Sequence, residues 1–175
     1  MKLASCCFLF FAIFASATAL AQATKNPVSD VARQILASRQ KSLTEAIEEM
    51  PADKFNYKPT PQQMTFGHLV AHMIGSNNEL CAKAADIAPP RVKPVDENDP
   101  KDKLVTALKD SFNFCNAALA KADDSKLAGP IDLFGGHQGP RAFAFFALTN
   151  DWADHYSTAA MYLRLNGLLP PTAKK

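Results

Sequence analysis

The sequence lacks an excess of charge of either sign: 19 Lys+Arg stand against 17 Asp+Glu, a formal net charge of +2 over 175 residues. That balance excludes the basic footprint of a nucleic-acid binder and the polybasic patch of a membrane-surface protein. Glycine is scarce, at 7 residues, and no stretch sustains the apolar/polar alternation with β-branched residues that a sheet requires. There is no C-x-x-C pair for a redox dithiol or thiolate metal site. No C-x-x-C-H is present to attach a haem, and no E-x-x-H to build a ferritin-like di-iron centre. A charged fraction of 21% and a hydrophobic fraction of 47% are too ordinary for disorder. The length predicts one compact domain.

What is present begins with a leader. Lys2 supplies a positive start, an uncharged apolar run follows from Cys6 through Ala15, and Ala19-Leu20-Ala21 forms an A-x-A site before Gln22. This is the plan of a bacterial signal peptide over residues 1–21, with residues 22–175 as the mature domain. A retained anchor is the competing reading. The apolar stretch, at about 15 residues when counted from Leu3, is shorter than the roughly 20 that span a bilayer. The chain is therefore expected to be exported, periplasmic or secreted, without stable membrane insertion after cleavage.

Export changes the meaning of the cysteines. Cys6 and Cys7 leave with the leader, and Cys81 and Cys115 remain. Two thiols in an oxidising compartment read as one disulfide, with two free buried cysteines as the alternative. Such a bridge contributes about 3 kcal/mol in the chain-entropy treatment.

Proline, at 12 residues, divides the rest. Four proline-free stretches remain, 28–50, 62–88, 101–129 and 141–169, each long enough for a bundle helix and each carrying apolar residues at helical spacing. The first is expected to start at a Ser29 or Asp30 cap and to bury Val31, Ile35, Leu36, Leu43, Ile47 and Met50. The second starts near Thr65, with Leu69, Met73 and Leu80. The third has Asp99 as cap and Pro100 in its first position, then Leu104, Leu108, Phe112, Cys115 and Leu119. The fourth follows Pro140 with Phe143, Phe146, Ala147, Tyr162 and Leu165, and stops at Gly167. The fold class is all-α, a four-helix bundle. The connections at 85–100 and 123–140 read as surface loops.

Polar residues interrupt two of these stripes. His72 shares a face with Leu69, Ser76 and Leu80, with His68 one turn earlier. On the fourth helix the stripe runs through Asp151 and His155, which are neighbours at i, i+4. Burying these groups without partners costs several kcal/mol. Bundles place metal ligands where facing helices project such groups inward, and two imidazoles with one carboxylate leave positions open, as in catalytic zinc and non-haem iron sites. A satisfied core histidine beside a buried Asp151–His155 ion pair is the plainer alternative, and Asp154 competes with Asp151 as the inward acid. Glu79 is a further candidate ligand. His137 reads as a loop residue, and Trp152 and Tyr156 read as packing or flanking groups.

The segments TFGHLVAHMIGSN and NDWADHYSTAAMYLRLNGLLPP, with the closing pattern H-Y-x5-Y-L-R-x-N-G-x-x-P-P, resemble the DinB family of four-helix-bundle metalloenzymes over nearly the whole of residues 22–175. In that family one histidine of the second helix and two of the last, spaced H-x3-H, bind a divalent ion. The resemblance implies His72, Asp151 and His155 as ligands here, with Asp151 standing where the family usually has histidine. Aspartate serves Zn, Ni, Mn or Fe, with a harder ligand character. The resemblance further implies an enzyme acting on an unknown small molecule, a transferase or a hydrolase. Some relatives look like thiol-dependent transferases or isomerases, but an exported member meets few low-molecular-weight thiols. Arg164 is a candidate partner for an anionic substrate or for a bundle carboxylate. Relatives often pair as homodimers, although no contiguous apolar surface stripe in the sequence demands it. The contrasting expectation is a non-catalytic bundle used for binding or dimerisation, its polar cluster satisfied internally.

Overall fold

A computed structural model describes residues 25–174, so the leader expected over 1–21, with Cys6 and Cys7, lies outside the described residues. Four long helices dominate: α1 (Pro27–Glu49), α2 (Phe66–Ala85), α3 (Lys101–Leu119) and α4 (Ala142–Leu165). α1 packs against α3 and α4, and α2 packs against the same two, so α1 lies diagonally opposite α2 in the bundle. None of these helices is long and apolar enough to cross a membrane.

The helix starts show what local sequence decides. At α2 the Thr65 hydroxyl accepts the His68 N–H at 3.0 Å, satisfying one of the donors a helix leaves unpaired. α1 begins earlier than expected. Asn26 stands at its cap and Pro27 opens the helix, while the Asp124 carboxylate accepts the N–H groups of Val28 at 2.6 Å and Ser29 at 3.1 Å. A cap supplied from 95 residues away leaves no local signature. α3 also moves by one position: Pro100 is the cap and Lys101 the first helical residue. Asp99 instead accepts the Asp96 N–H at 2.9 Å and pairs with Lys103 at 2.7 Å.

Leu36, Leu43, Ile47, Leu69, Met73, Leu104, Leu108, Phe112 and Leu163 form the core. Cys81 and Cys115, both buried, form a disulfide between α2 and α3 with Cα atoms 5.2 Å apart. Four expected core residues are surface residues instead: Val31 is 53% exposed, Phe143 43%, Phe146 72% and Leu165 55%. On α4 the first turns bury Ala144, Phe145 and Leu148, out of phase with the expected Phe143 and Phe146, whereas His155 and Tyr162 are buried as expected. The first turns of α4 are apolar on every side, so spacing alone cannot choose the inward face. On α1, Ala32 and Leu36 carry the inward line, and Val31 falls beside it. Val28, Val31 and Phe146 border a shallow apolar groove between α1 and α4.

A short antiparallel ribbon, β1 (Pro130–Asp132) with β2 (Gln138–Pro140), occupies part of the connection expected to be loop. Three-residue strands are too short to display alternation, which is why the sequence hides them. The long 86–100 connection closes over the start of α2, where a Cβ on Gly67 would meet the Glu97 carbonyl oxygen at 2.2 Å. Only glycine admits that approach.

Candidate metal centre

α2 and α4 face each other along two complementary lines. From α2 come Ala71, His72, Gly75, Ser76 and Glu79; from α4 come Phe143, Phe146, Asn150, Asp151 and Asp154. Helical spacing places each set on one face. Between them lies an open cleft of about 790 Å³.

Its inner end gathers His72, Asp151 and His155, each offering one ligand atom, all within 4.8 Å of one another. The imidazoles of His72 and His155 face across the helix pair with centroids 5.0 Å apart and planes inclined by 30°. His72 is exposed, Asp151 half-buried and His155 buried. Bonds to zinc of 2.0–2.1 Å put tetrahedral donors about 3.4 Å apart, somewhat closer than the outer limit of this spacing.

Two details show that these residues fit a cation. His155 Nδ1 lies 2.6 Å from the backbone carbonyl oxygen of Asp151, one turn earlier. That bond requires the proton on Nδ1 and leaves the lone pair on Nε2, the tautomer of a ligand histidine fixed from behind. The second is the Asp151 carboxylate. Its Oδ2 is buried and has no hydrogen-bond partner. His155 Nδ1 stands 3.4 Å from it, but that N–H is already committed to the nearer carbonyl, and 3.4 Å lies outside good N–H···O geometry. A buried carboxylate oxygen left so costs free energy unless something else satisfies it. Burial pushes the His155 imidazole towards its neutral form; the Asp151 carboxylate outweighs this, with help from Asp154, and the net pKa is raised.

The sequence profile of the DinB superfamily matches residues 35–158, which include all three ligand candidates. The chain belongs to the DinB superfamily. A DinB-like protein from Bacillus cereus ATCC 10987 superposes with a TM-score of 0.67 at 16% identity, covering 81% of this chain and 95% of that one. The DinB-like protein YjoA from Bacillus subtilis gives 0.63 at 21% identity, over 81% and 99% of the two chains. A conserved protein from Enterococcus faecalis gives 0.65 at 17%, over 82% and 98%. At these identities the likeness concerns the fold. No curated protein matches the sequence.

The DinB bundle thus brings His72, Asp151 and His155 together and leaves other candidates apart. His68 is exposed and binds Glu97 Oε2 at 2.9 Å through Nδ1, which fastens the 86–100 connection. Glu79 and Asp154 line the cleft but stand outside the three-residue set. His137 is a loop residue. Arg164 directs Nη1 to the Ala160 carbonyl at 3.5 Å and does not line the cleft, so it is not placed to meet a substrate there. Trp152 and Tyr156 pack: Trp152 Nε1 donates to Asn77 Oδ1 at 2.7 Å, and the Tyr156 hydroxyl donates to Thr172 Oγ1 at 2.7 Å. Sequence reasoning missed Asn77, whose Nδ2 donates to Ser111 Oγ at 2.9 Å. Its signal was available, because Asn77 continues the Val70, Met73 line of buried α2 positions.

Proposed function

We propose that this DinB protein is an exported divalent-metal enzyme acting on a small molecule, a transferase or a hydrolase, with His72, Asp151 and His155 holding one Zn, Ni, Mn or Fe ion. One observation carries the reading: a buried carboxylate oxygen without a hydrogen-bond partner stands in the same three-donor set as two imidazoles. Such a bound ion acts as a Lewis acid, polarising an oxygen or sulfur atom and lowering the pKa of water or a thiol. The protein side of the chemistry follows from the residues. Asp151 brings a negative charge that favours a cation, and its own carbonyl oxygen holds the His155 ring in orientation. His72, exposed at the cleft, leaves the inner end open to a small molecule. Asp154 and Glu79 are the carboxylates available along the cleft to take a proton from it. The disulfide supports export, since such bridges persist in oxidising compartments.

The test is metal analysis of protein purified without an affinity tag and reconstituted with Zn, Mn, Ni and Fe in turn. The expected result is close to one equivalent of one ion, falling to background in His155→Ala. Less than about 0.1 equivalent with every ion overturns the reading, because an intact three-ligand site fills. Unchanged content in His155→Ala overturns the ligand assignment.

A further inference from the structure

α2 and α4 run antiparallel, and three pairings along them define their register. The Tyr162 hydroxyl donates to the Met64 carbonyl, just before α2, at 2.7 Å. His72 faces His155 with ring centroids 5.0 Å apart. Trp152 Nε1 donates to Asn77 Oδ1 at 2.7 Å. Residue numbers rise along α2 while they fall along α4, so the two hydrogen bonds lie on opposite sides of the His72, Asp151 and His155 set. Their side chains are themselves held. Tyr162, Asn77 and Trp152 are each 1% exposed. The Tyr162 ring packs on Phe66 and Tyr57, with centroids 5.8 and 6.1 Å away, and Asn77 is anchored in turn by its donation to Ser111 Oγ on α3 at 2.9 Å.

Register matters when ligands come from different helices. A slide of α4 along α2 by one residue's rise is about 1.5 Å, whereas metal–ligand bond lengths vary by only about 0.2 Å. Asp151 and His155 share a helix and keep their spacing through such a slide; His72 does not. The apolar packing of Leu69, Met73, Ala159 and Leu163 in the shared core is non-directional. It tolerates small slides that a hydrogen bond, which demands distance and angle together, resists. We infer that Tyr162, Trp152 and Asn77 are positioning residues: their two cross-helix hydrogen bonds, one on each side, fix the register at which His72 meets Asp151 and His155. For its consequence the inference rests on reading that set as a metal centre, while the register itself can be measured without an ion.

Two measurements on untagged protein test it. The first is the dissociation constant for Zn²⁺ and for Ni²⁺, by competition with a chromophoric chelator. The second needs no ion: the distance between nitroxide labels at Glu79→Cys and Ser157→Cys, both exposed positions, by pulsed electron paramagnetic resonance. Tyr162→Phe keeps the ring and removes the donor. Asn77→Leu with Trp152→Phe removes donor and acceptor together and leaves nothing unpaired, so affinity lost there is not lost for want of stability. Each should weaken binding about threefold, and the three substitutions combined at least about tenfold, the lower end of what outer-shell partners contribute. In the combined variant the label distance should shift or broaden by about 1.5 Å or more. The control is the Cys81→Ser, Cys115→Ser protein, which loses the α2–α3 bridge and keeps both cross-helix bonds. Unchanged affinity in these variants, an unmoved label distance, or an equal loss of affinity in the control overturns the inference and leaves the metal centre standing. A wild type that holds no ion overturns the metal reading alone; the label distance then decides the register, a shift supporting it and no shift overturning it.

Discussion

Helix α2 presents two polar faces to its neighbours, and they differ in how completely they are satisfied. Towards α3 the face is closed. The Cys81–Cys115 bridge crosses it, and Asn77 uses both ends of its amide, accepting from Trp152 Nε1 and donating to Ser111, whose hydroxyl in turn reaches the Leu108 carbonyl at 2.7 Å. Towards α4 the face is open, with His72, Gly75 and Ser76 along a cleft and the Asp151 Oδ2 buried without a partner. Both faces bury polar atoms, so burial alone does not distinguish structure from function. What differs is completeness beside other donors: a finished hydrogen-bond network specifies packing, whereas Asp151 Oδ2, unlike the isolated unpartnered atoms Thr44 Oγ1 and Arg141 Nε, stands in a set with two imidazoles.

The largest effect expected from breaking the comparison is on the closed face. Replacing Cys81 and Cys115 together by serine should cost about 3 kcal/mol, which for a chain of this length lowers the melting temperature by roughly 6 to 12 °C. Metal content should not change, because the bridge lies on the face turned from the cleft. A calorimetric scan with parallel metal analysis checks both halves; a bridge-free protein that also loses its metal would show the two faces to be one unit.

Next in size is Asn77→Ala. It strands the Trp152 N–H inside the core, a penalty of about 2 kcal/mol, visible in denaturant midpoint and in the fluorescence of the one tryptophan. Replacing both partners, as Asn77→Leu with Trp152→Phe, should recover most of that loss, since removing donor and acceptor together leaves nothing unpaired. If the double variant is no better than the single, the network is not the reason for the cost.

On the open face the sign should invert. Asp151→Asn keeps the side chain's size and removes a buried charge whose Oδ2 has no partner. The metal-free protein is expected to gain up to about 1 kcal/mol while metal affinity drops at least about tenfold. A variant both less stable and unchanged in metal binding would place Asp151 among structural ion pairs.

The unequal legibility of the two faces follows from their physics. Proline positions delimit the helices because a helix interior excludes proline locally, and the i, i+4 spacing of Asp151 and His155 is a property of one helix. His72 could be matched to them through its phase with Leu69 and Leu80. The Asn77–Trp152 bond joins residues 75 apart, and the Asp124 cap on α1 is as remote, so neither follows from neighbours in sequence. Phe143 and Phe146 were misplaced for another reason. A helix start that is apolar all round offers no contrast from which to read a face, and the two exposed rings are intelligible only once the cleft beside them is seen.

The smallest effect lies at the C-terminal end of α2, away from both faces. Arg141, buried at 7% exposure, holds Asp86 with Nη2 at 2.9 Å from Oδ1. The hydrogen bond from Arg141 holds the Asp86 carboxyl below its usual range, against a smaller opposing effect of burial. A lowered folded-state pKa means stability that is present above the unfolded carboxylate value, about 3.9, and lost as pH falls through the lower folded value. Asp86 closes α2 in the left-handed region at φ 59°, where asparagine is also at home. Asp86→Asn therefore removes the charge and keeps both the cap and an acceptor for Arg141. A slight loss of melting temperature is expected at pH 7, and it should shrink as the pH falls below the unfolded carboxylate value and through the lower folded one, where the wild type gives up the same charge. A loss that persists undiminished at the acid end would mean that the cap geometry, and not the charge on Asp86, is what Arg141 reads.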